Sequence, residues 1–306
     1  MNSFYPEGEI ISNSDISEFL ASEDGLAEAC SRNITLEAKA LLCTSSHDLI
    51  VELPCGRGII KREEGALGIR EGTTRDIALL SKVGKPVCFK VIGIEKEGSE
   101  TVYQLSRRAA QQECYDSYIS RLRSGDVIPA KVTHLERFGC FVDIGCGIPS
   151  LIPIDAISVS RISHPNDRFY NGQRILTVVK GRDNDRILLS HKELLGTWYE
   201  NASRLEVGQT VGGIVRSIEE YGIFIELAPN LAGLAEKRDN VRVNQGASVF
   251  IKAIIPDKMK VKLIIVDVYD CASFPSKINY FINSGHISSW VYSTPNSPKV
   301  ISTYFE

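Results

Sequence analysis

A chain of 306 residues, 43% hydrophobic and 24% charged, has the composition of a soluble globular protein of two or three domains, which excludes the fibrous and disordered classes. Its formal net charge of −3 argues against a generic polyanion binder. No basic-then-apolar leader and no apolar run of membrane-spanning length is present, so a cytoplasmic protein with no membrane partner is expected.

Residues 1–35 form an acidic head, with one basic residue against seven acidic ones, and Ser22 before Glu23 and Asp24 predicts a short helix over Ser22–Ser31. Residues 36–107 thread as five strands, Leu36–Thr44, Leu49–Leu53, Gly58–Lys61, Pro86–Ile94 and Thr101–Ser106. From Arg107 the period changes from two to about 3.6, which predicts a helical connector over 108–122. Residues 123–192 repeat the five-strand order as Asp126–Glu136, Arg137–Ile144, Ile148–Pro153, Gln173–Gly181 and Arg186–Ser190. A second helical connector follows over 193–205, with Gly125 and Gly208 as candidate helix-ending residues. Residues 206–267 then give Thr210–Glu219, Tyr221–Leu227, Leu231–Ala235, Gly246–Ile255 and Val261–Val266. Five short strands with a long third-to-fourth connection suit a small Greek-key barrel of the OB type. The fold expected is therefore all-β, with tandem five-stranded OB barrels joined by short α-helical connectors. The tail, 268–306, is rich in aromatics such as Phe274, Tyr280, Trp290 and Tyr292, and should pack on the last barrel or on a partner.

One strand-turn-strand phrase is written twice in full. Phe138-Gly139-Cys140-Phe141-Val142-Asp143 returns as Tyr221-Gly222-Ile223-Phe224-Ile225-Glu226, 83 positions on, and His47 to Leu53 keeps the frame 91 positions earlier without the aromatics. Strand parity places Val142 on one face and Phe141 with Asp143 on the other, and Phe224 likewise shares a face with Glu226. A ring in phase with a carboxylate is expected on the solvent side, where it can stack nucleobases. The competing reading is that Phe141 and Phe224 are core residues or cover a neighbouring domain. The only positive segment is 121–192, with eleven Lys and Arg against seven Asp and Glu, so phosphate contacts should concentrate there.

These phrases, together with Gly125, Asn171-Gly172-Gln173 and Arg186-Ile187-Leu188-Leu189-Ser190-His191-Lys192, resemble the S-one family of RNA-binding OB domains, named after the largest bacterial small-subunit ribosomal protein. Residues 206–267 match through Val207-Gly208-Gln209, Tyr221-Gly222-Ile223-Phe224 and Gly233-Leu234. The resemblance implies an RNA surface made of two aromatics, a third-strand His, and an Asp and an Arg near the last two strands. It carries onto Phe138 and Phe141, onto Tyr221 and Phe224, and onto Asp183 and Arg186, with Asp185 as a competitor. Asp257 and Lys260 are its weaker counterparts in repeat three. The third-strand His is replaced by Pro153, Glu236 and Lys61 in repeats two, three and one. In repeat one the aromatics become His47 and Ile50, which predicts a structural or protein-docking barrel.

The five histidines share no metal-ligand spacing, no phosphate-cradling loop is present, and Asp183 and Asp185 read as a solvated turn, so no enzyme, metal or cofactor is expected. The expected function is noncatalytic binding of single-stranded RNA or mRNA by repeats two and three in a translation setting, with the small ribosomal subunit as a further partner. Bases would stack on Phe138, Phe141, Tyr221 and Phe224, with His134 adding an edge. Phosphates would meet Lys131, Arg137, Arg161, Arg182, Arg186 and Lys192. The alternative is a protein-interaction scaffold of RNA metabolism or transcription that has lost most RNA affinity, supported by the acidic net charge and the missing third-strand His.

Overall fold

A computed structural model of the chain describes residues 4–10, 14–98, 100–183, 186–270 and 278–306. Asp185, Cys271 and Phe274 lie outside the described residues. Three closed barrels follow one another. The first comprises β1 (Leu36–Cys43), β2 (Leu49–Leu53), β3 (Gly56–Ile60), β4 (Pro86–Glu97) and β5 (Glu100–Ser106). In the second are β6 (Val127–Glu136), β7 (Gly139–Asp143), β8 (Pro149–Pro153), β9 (Arg174–Asp183) and β10 (Arg186–Ser190). The third has β11 (Thr210–Glu219), β12 (Gly222–Ala228), β13 (Leu231–Ala235), β14 (Gly246–Ile255) and β15 (Lys260–Tyr269). Each is all antiparallel except where its third strand lies parallel to its fifth, the closure that makes an OB barrel from five strands. The expected fold class is the one found.

Alternation builds each interior. Val215, Ile223, Ile225, Val249, Ile251, Val261 and Leu263 point inward in the third barrel and are almost fully buried. Glycine opens the second strand where the third strand's backbone approaches closely: a Cβ on Gly139 would come within 2.5 Å of the Ile152 carbonyl, and one on Gly222 within 2.5 Å of the Ala235 carbonyl.

The chain divides into two compact units, Met1–Leu122 with Asp143–Pro149, and Arg123–Val142 with Ser150–Glu306. In the first, α1 (Ser14–Leu20) precedes α2 (Glu23–Ser31), whose N-terminal Ser22 hydroxyl accepts from Gly25 N at 3.0 Å, as the sequence predicted. Leu26 and Ala29 of α2 join the core of the first barrel, as does Leu79 of α3 (Ile77–Leu80). The first connector is α4 (Arg107–Ser117) with a 3-10 turn after it, capped by Ser106.

Within the second unit the connector is broken. A 3-10 turn, Lys192–Leu195, ends at Gly196 (φ 81°), and a five-residue α5 (Trp198–Ala202) restarts from a Thr197/Glu200 capping box. Gly125 and Gly208 are not helix ends: both take positive φ in the turns that feed β6 and β11. The tail does more than cover the last barrel. Tyr280, Ile282, Ile287 and Phe305 pack with Val178, Leu176 and Leu194, whereas Trp290 and Tyr292 join the core of the third barrel. Its strands β16 (Ser289–Val291) and β17 (Ser302–Tyr304) form a small hairpin.

Candidate nucleic-acid interface

The duplicated phrase makes a duplicated object. Phe138 and Phe141 sit edge to face with ring centroids 5.9 Å apart at 90°, and Tyr221 and Phe224 repeat this at 6.0 Å and 88°. Phe138 is 57% exposed and Tyr221 70%, while Phe141 and Phe224 are half-buried on the outer face of their barrels. Each pair thus offers one exposed ring set at right angles to a half-buried one, a shape that can take the flat face of a base. His134 extends the first pair, its ring stacked on Phe141 at 6.4 Å and 28°, with Nε2 2.7 Å from the Glu136 carboxylate.

Parity assigned the rings correctly to the outer face, but the carboxylates beside them are not solvated. Asp143 and Glu226 are only 3% and 6% exposed. In the first unit Asp143 accepts the N–H groups of Glu7 (2.8 Å), Gly145 (2.8 Å) and Gly147 (3.0 Å). Burial and the neighbouring Glu7 charge push it up to about 6. Burial also opposes ionisation of Glu7, yet the charges of Arg107 and Lys82, each 2.6 Å away, outweigh it and bring Glu7 down to about 2. In the second unit Glu226 receives Arg168 and Arg216, the latter at 2.9 Å, and Arg216 also meets Asp167 at 3.1 Å. Strand parity tells which face of a barrel a side chain takes; what covers that face is decided by distant chain, which the pattern does not encode.

This network belongs to the junction of repeats two and three. Asp167 and Arg168 lie in the β8–β9 connection of repeat two, and Arg216 and Glu226 on β11 and β12 of repeat three. Burial pulls the Arg168 guanidinium down against the attraction of Glu226. Nearby, fully buried Asn230 donates to the carbonyls of Lys192 and Gly196, both at 2.8 Å, and accepts from Val159 N at 2.9 Å. Tyr292 of the tail donates to the Asn230 carbonyl at 2.6 Å. None of these residues carries a sequence signal of its own, because their roles arise only when two repeats meet.

The other residues expected at the interface scatter. Arg137 is exposed beside Phe138. Lys131 is half-buried and engaged with other groups, and the Lys192 ammonium donates to the Asp155 carbonyl at 3.3 Å. Asp183 and Arg186 are directly paired across β9 and β10. Gly139 lies at the Pro153 end of β8, whereas Arg186 precedes Leu188, the residue beside Leu151 on parallel β8. The Asp183–Arg186 pair is therefore at the opposite end of the face from Phe138. In repeat three Lys260 is exposed opposite Ile255, and Asp257 accepts from Asn296 at 3.1 Å. Repeat one has no ring pair: Leu42, Ile50, Ile59 and Gln104 are registered side by side where repeat three has Ser217, Phe224, Leu234 and Lys262. Among the described residues no cluster of three or more His, Cys, Asp and Glu could hold a metal, and no helix is long and apolar enough to cross a membrane.

Residues 121–192 match the family described as the S1 RNA binding domain. The chain is S1-like. The small ribosomal subunit protein bS1 of Staphylococcus aureus (strain COL) is 33% identical over 158 residues, covering 49% of this chain and 40% of that protein. The bS1 homolog of Bacillus subtilis (strain 168) is 30% identical over 195 residues, covering 60% and 49%. The chain thus spans about half the length of the curated relatives it matches. Among solved structures, a multidomain protein with nucleic acid binding domains from Streptococcus pneumoniae is 14% identical, with a TM-score of 0.25 and coverage of 76% of this chain and 73% of that one. The S1 match falls on the barrel that carries Phe138 and Phe141, and Tyr221 and Phe224 show the same arrangement one S1-like repeat further on.

Proposed function

We propose that this S1-like chain binds single-stranded RNA without catalysis, through the outer faces of repeats two and three, and that its RNA is messenger met in translation with the small ribosomal subunit as partner, in the cytoplasm. The observation that carries this reading is the twice-built, edge-to-face ring pair left open on two successive barrels. A base stacked on such a ring contributes about 1–3 kcal/mol and does so with little regard to its identity. Exposed Arg137 beside Phe138 supplies positive charge at the first platform, and exposed Arg161, Arg182 and Arg186 add to the charge of repeat two as a whole. The relatives named as ribosomal small-subunit proteins support the translation setting.

Fluorescence anisotropy of a short labelled single-stranded RNA, titrated with wild type and with the Phe141→Ala/Phe224→Ala variant, tests the reading. A loss of about tenfold or more in affinity, in a variant that still unfolds cooperatively with its melting temperature lowered by only a few degrees, is the expected result. RNA binding indifferent to both rings would overturn it and leave the barrels as docking modules.

A further inference from the structure

The same irregularity recurs in the fourth strand of every barrel. Pairing with the fifth strand slips by one residue between Val91 and Gly93, between Val179 and Gly181, and between Ile251 and Ala253. A bulge of this kind leaves one residue out of the ladder and re-aims its side chain. The bulged residues are Ile92, Lys180 and Lys252, all exposed. The two repeats with ring pairs carry lysine there, and the repeat without rings carries isoleucine.

Register locates these lysines relative to the platform. In repeat three Phe224 is opposite Leu234, Leu234 is beside Lys262, and Lys262 is opposite Ala253, the residue after the bulge. Repeat two has Leu151 beside Leu188, and Leu188 opposite Gly181. Leu151 flanks Gly139 as Leu234 flanks Gly222, so it holds the equivalent place next to Phe141. Each row therefore runs from the half-buried ring through a leucine to a small residue with the bulged lysine at its flank. Lys262 is two strand spacings from Phe224, about 10 Å, and Lys252 about one spacing further. A nucleotide stacked on the ring places its own and its neighbour's phosphate over that interval. Lys180 and Lys262 make no ion pair among the described residues, and Lys252 reaches the exposed Glu236 only at 3.8 Å. Gly181 leaves the end of its row open, with no atom within 4 Å of where a Cβ would stand.

We infer that the bulge lysines Lys180 and Lys252, together with Lys262, form the phosphate-contacting half of each face, so that repeat three, neutral in overall charge, still holds an RNA backbone. This rests on the reading of the ring pairs as base platforms. The bulge is what makes the site: without it the fourth-strand side chain at this point would belong to the regular ladder.

The test measures affinity for an unstructured labelled RNA in the full chain across a salt series. It compares wild type with Lys180→Gln, Lys252→Gln, Lys262→Gln, their triple combination, and Lys299→Gln in the tail as a charge-matched control. Each phosphate interaction removed should lower the slope of log affinity against log salt by about 0.7, so the triple variant should fall by about 2 while Lys299→Gln leaves it unchanged. Circular dichroism melting identifies any variant that fails to fold, and the single substitutions then carry the comparison. An unchanged slope in variants whose binding still requires Phe141 and Phe224 would overturn the lysine assignment alone. Binding that never required the rings would instead overturn the platform reading beneath it. An equal fall in Lys299→Gln would also overturn the assignment, since it would show a response to net charge only.

Discussion

Phe224 and Glu226 stand two residues apart on one strand, share a face, and have opposite duties. The Phe224 ring is half-buried and open to a ligand, whereas the Glu226 carboxylate is closed in by two guanidinium groups. Removing one member of a buried ionic network leaves the others without compensation, a cost of about 3–5 kcal/mol. Glu226→Gln should therefore destabilise the second unit by about that much, because Arg168 and Arg216 stay buried. Phe224→Ala removes only half-buried apolar surface and should cost about 1 kcal/mol. Urea denaturation followed by tryptophan emission checks both, since the two tryptophans, Trp198 and Trp290, lie in this unit. Equal losses would mean that Phe224 is a core residue and that the face is closed. The exposed Glu236 has the reverse sign. It lies two residues beyond Leu234 on the platform side, and Glu236→Gln should tighten RNA binding a few-fold at low salt by removing a repulsive charge, as the anisotropy titration would show.

At the scale of elements, the tail is held to repeat two by a hydrogen-bond relay that fixes a tautomer. Leu176 N–H donates to the Tyr280 hydroxyl at 3.0 Å, that hydroxyl donates to His191 Nε2 at 3.2 Å, and His191 Nδ1 donates to the Ile157 carbonyl at 2.9 Å. In this arrangement the imidazole is neutral, with its proton on Nδ1 and Nε2 as the acceptor. Burial lowers His191 from 6.5 to about 4, with the Arg168 charge acting in the same direction. Between those values the unfolded chain binds the extra proton, so the stabilisation is full above pH 6.5 and is lost as pH falls towards 4, about 3 kcal/mol in all. Denaturation midpoints of the tryptophan-reporting unit should fall over pH 6.5 to 4.5, and His191→Asn should flatten that dependence; a slope of equal size in the variant would remove His191 as its source. The strands of all three barrels were legible in the sequence to within a few residues because each buries one face, and burial imposes the period of two. The break in the second connector was not, since Gly196 and the Asn230 side chain organise it from across the junction. The ring pairs were legible as repeats, but the bulge lysines were not, because a one-residue slip in register leaves no mark on the alternation of the strand that carries it.

On the scale of the molecule, the question is whether the two platforms act as one. Repeats two and three are joined within the second unit by the Asp167–Arg168–Arg216–Glu226 network, by Asn230, and by a tail that packs on both. Although the Arg168 Nε is buried without a partner, the junction's other buried polar groups are paired, and alternative arrangements would strand further charges or an amide away from water. Two platforms held at a fixed separation bind a long strand with the second contact already intramolecular, at an effective concentration in the millimolar range for short spans. Affinity should therefore rise steeply once an RNA is long enough to reach both ring pairs, by more than the statistical gain of extra sites. Phe141→Ala alone should abolish that rise while leaving the affinity for the shortest RNA within about twofold, because repeat three still offers its own platform. Anisotropy titrations over a ladder of RNA lengths, in wild type and Phe141→Ala, measure this directly. A smooth, length-proportional gain in both proteins would mean that the repeats bind independently despite their shared core, and the junction would then serve stability alone.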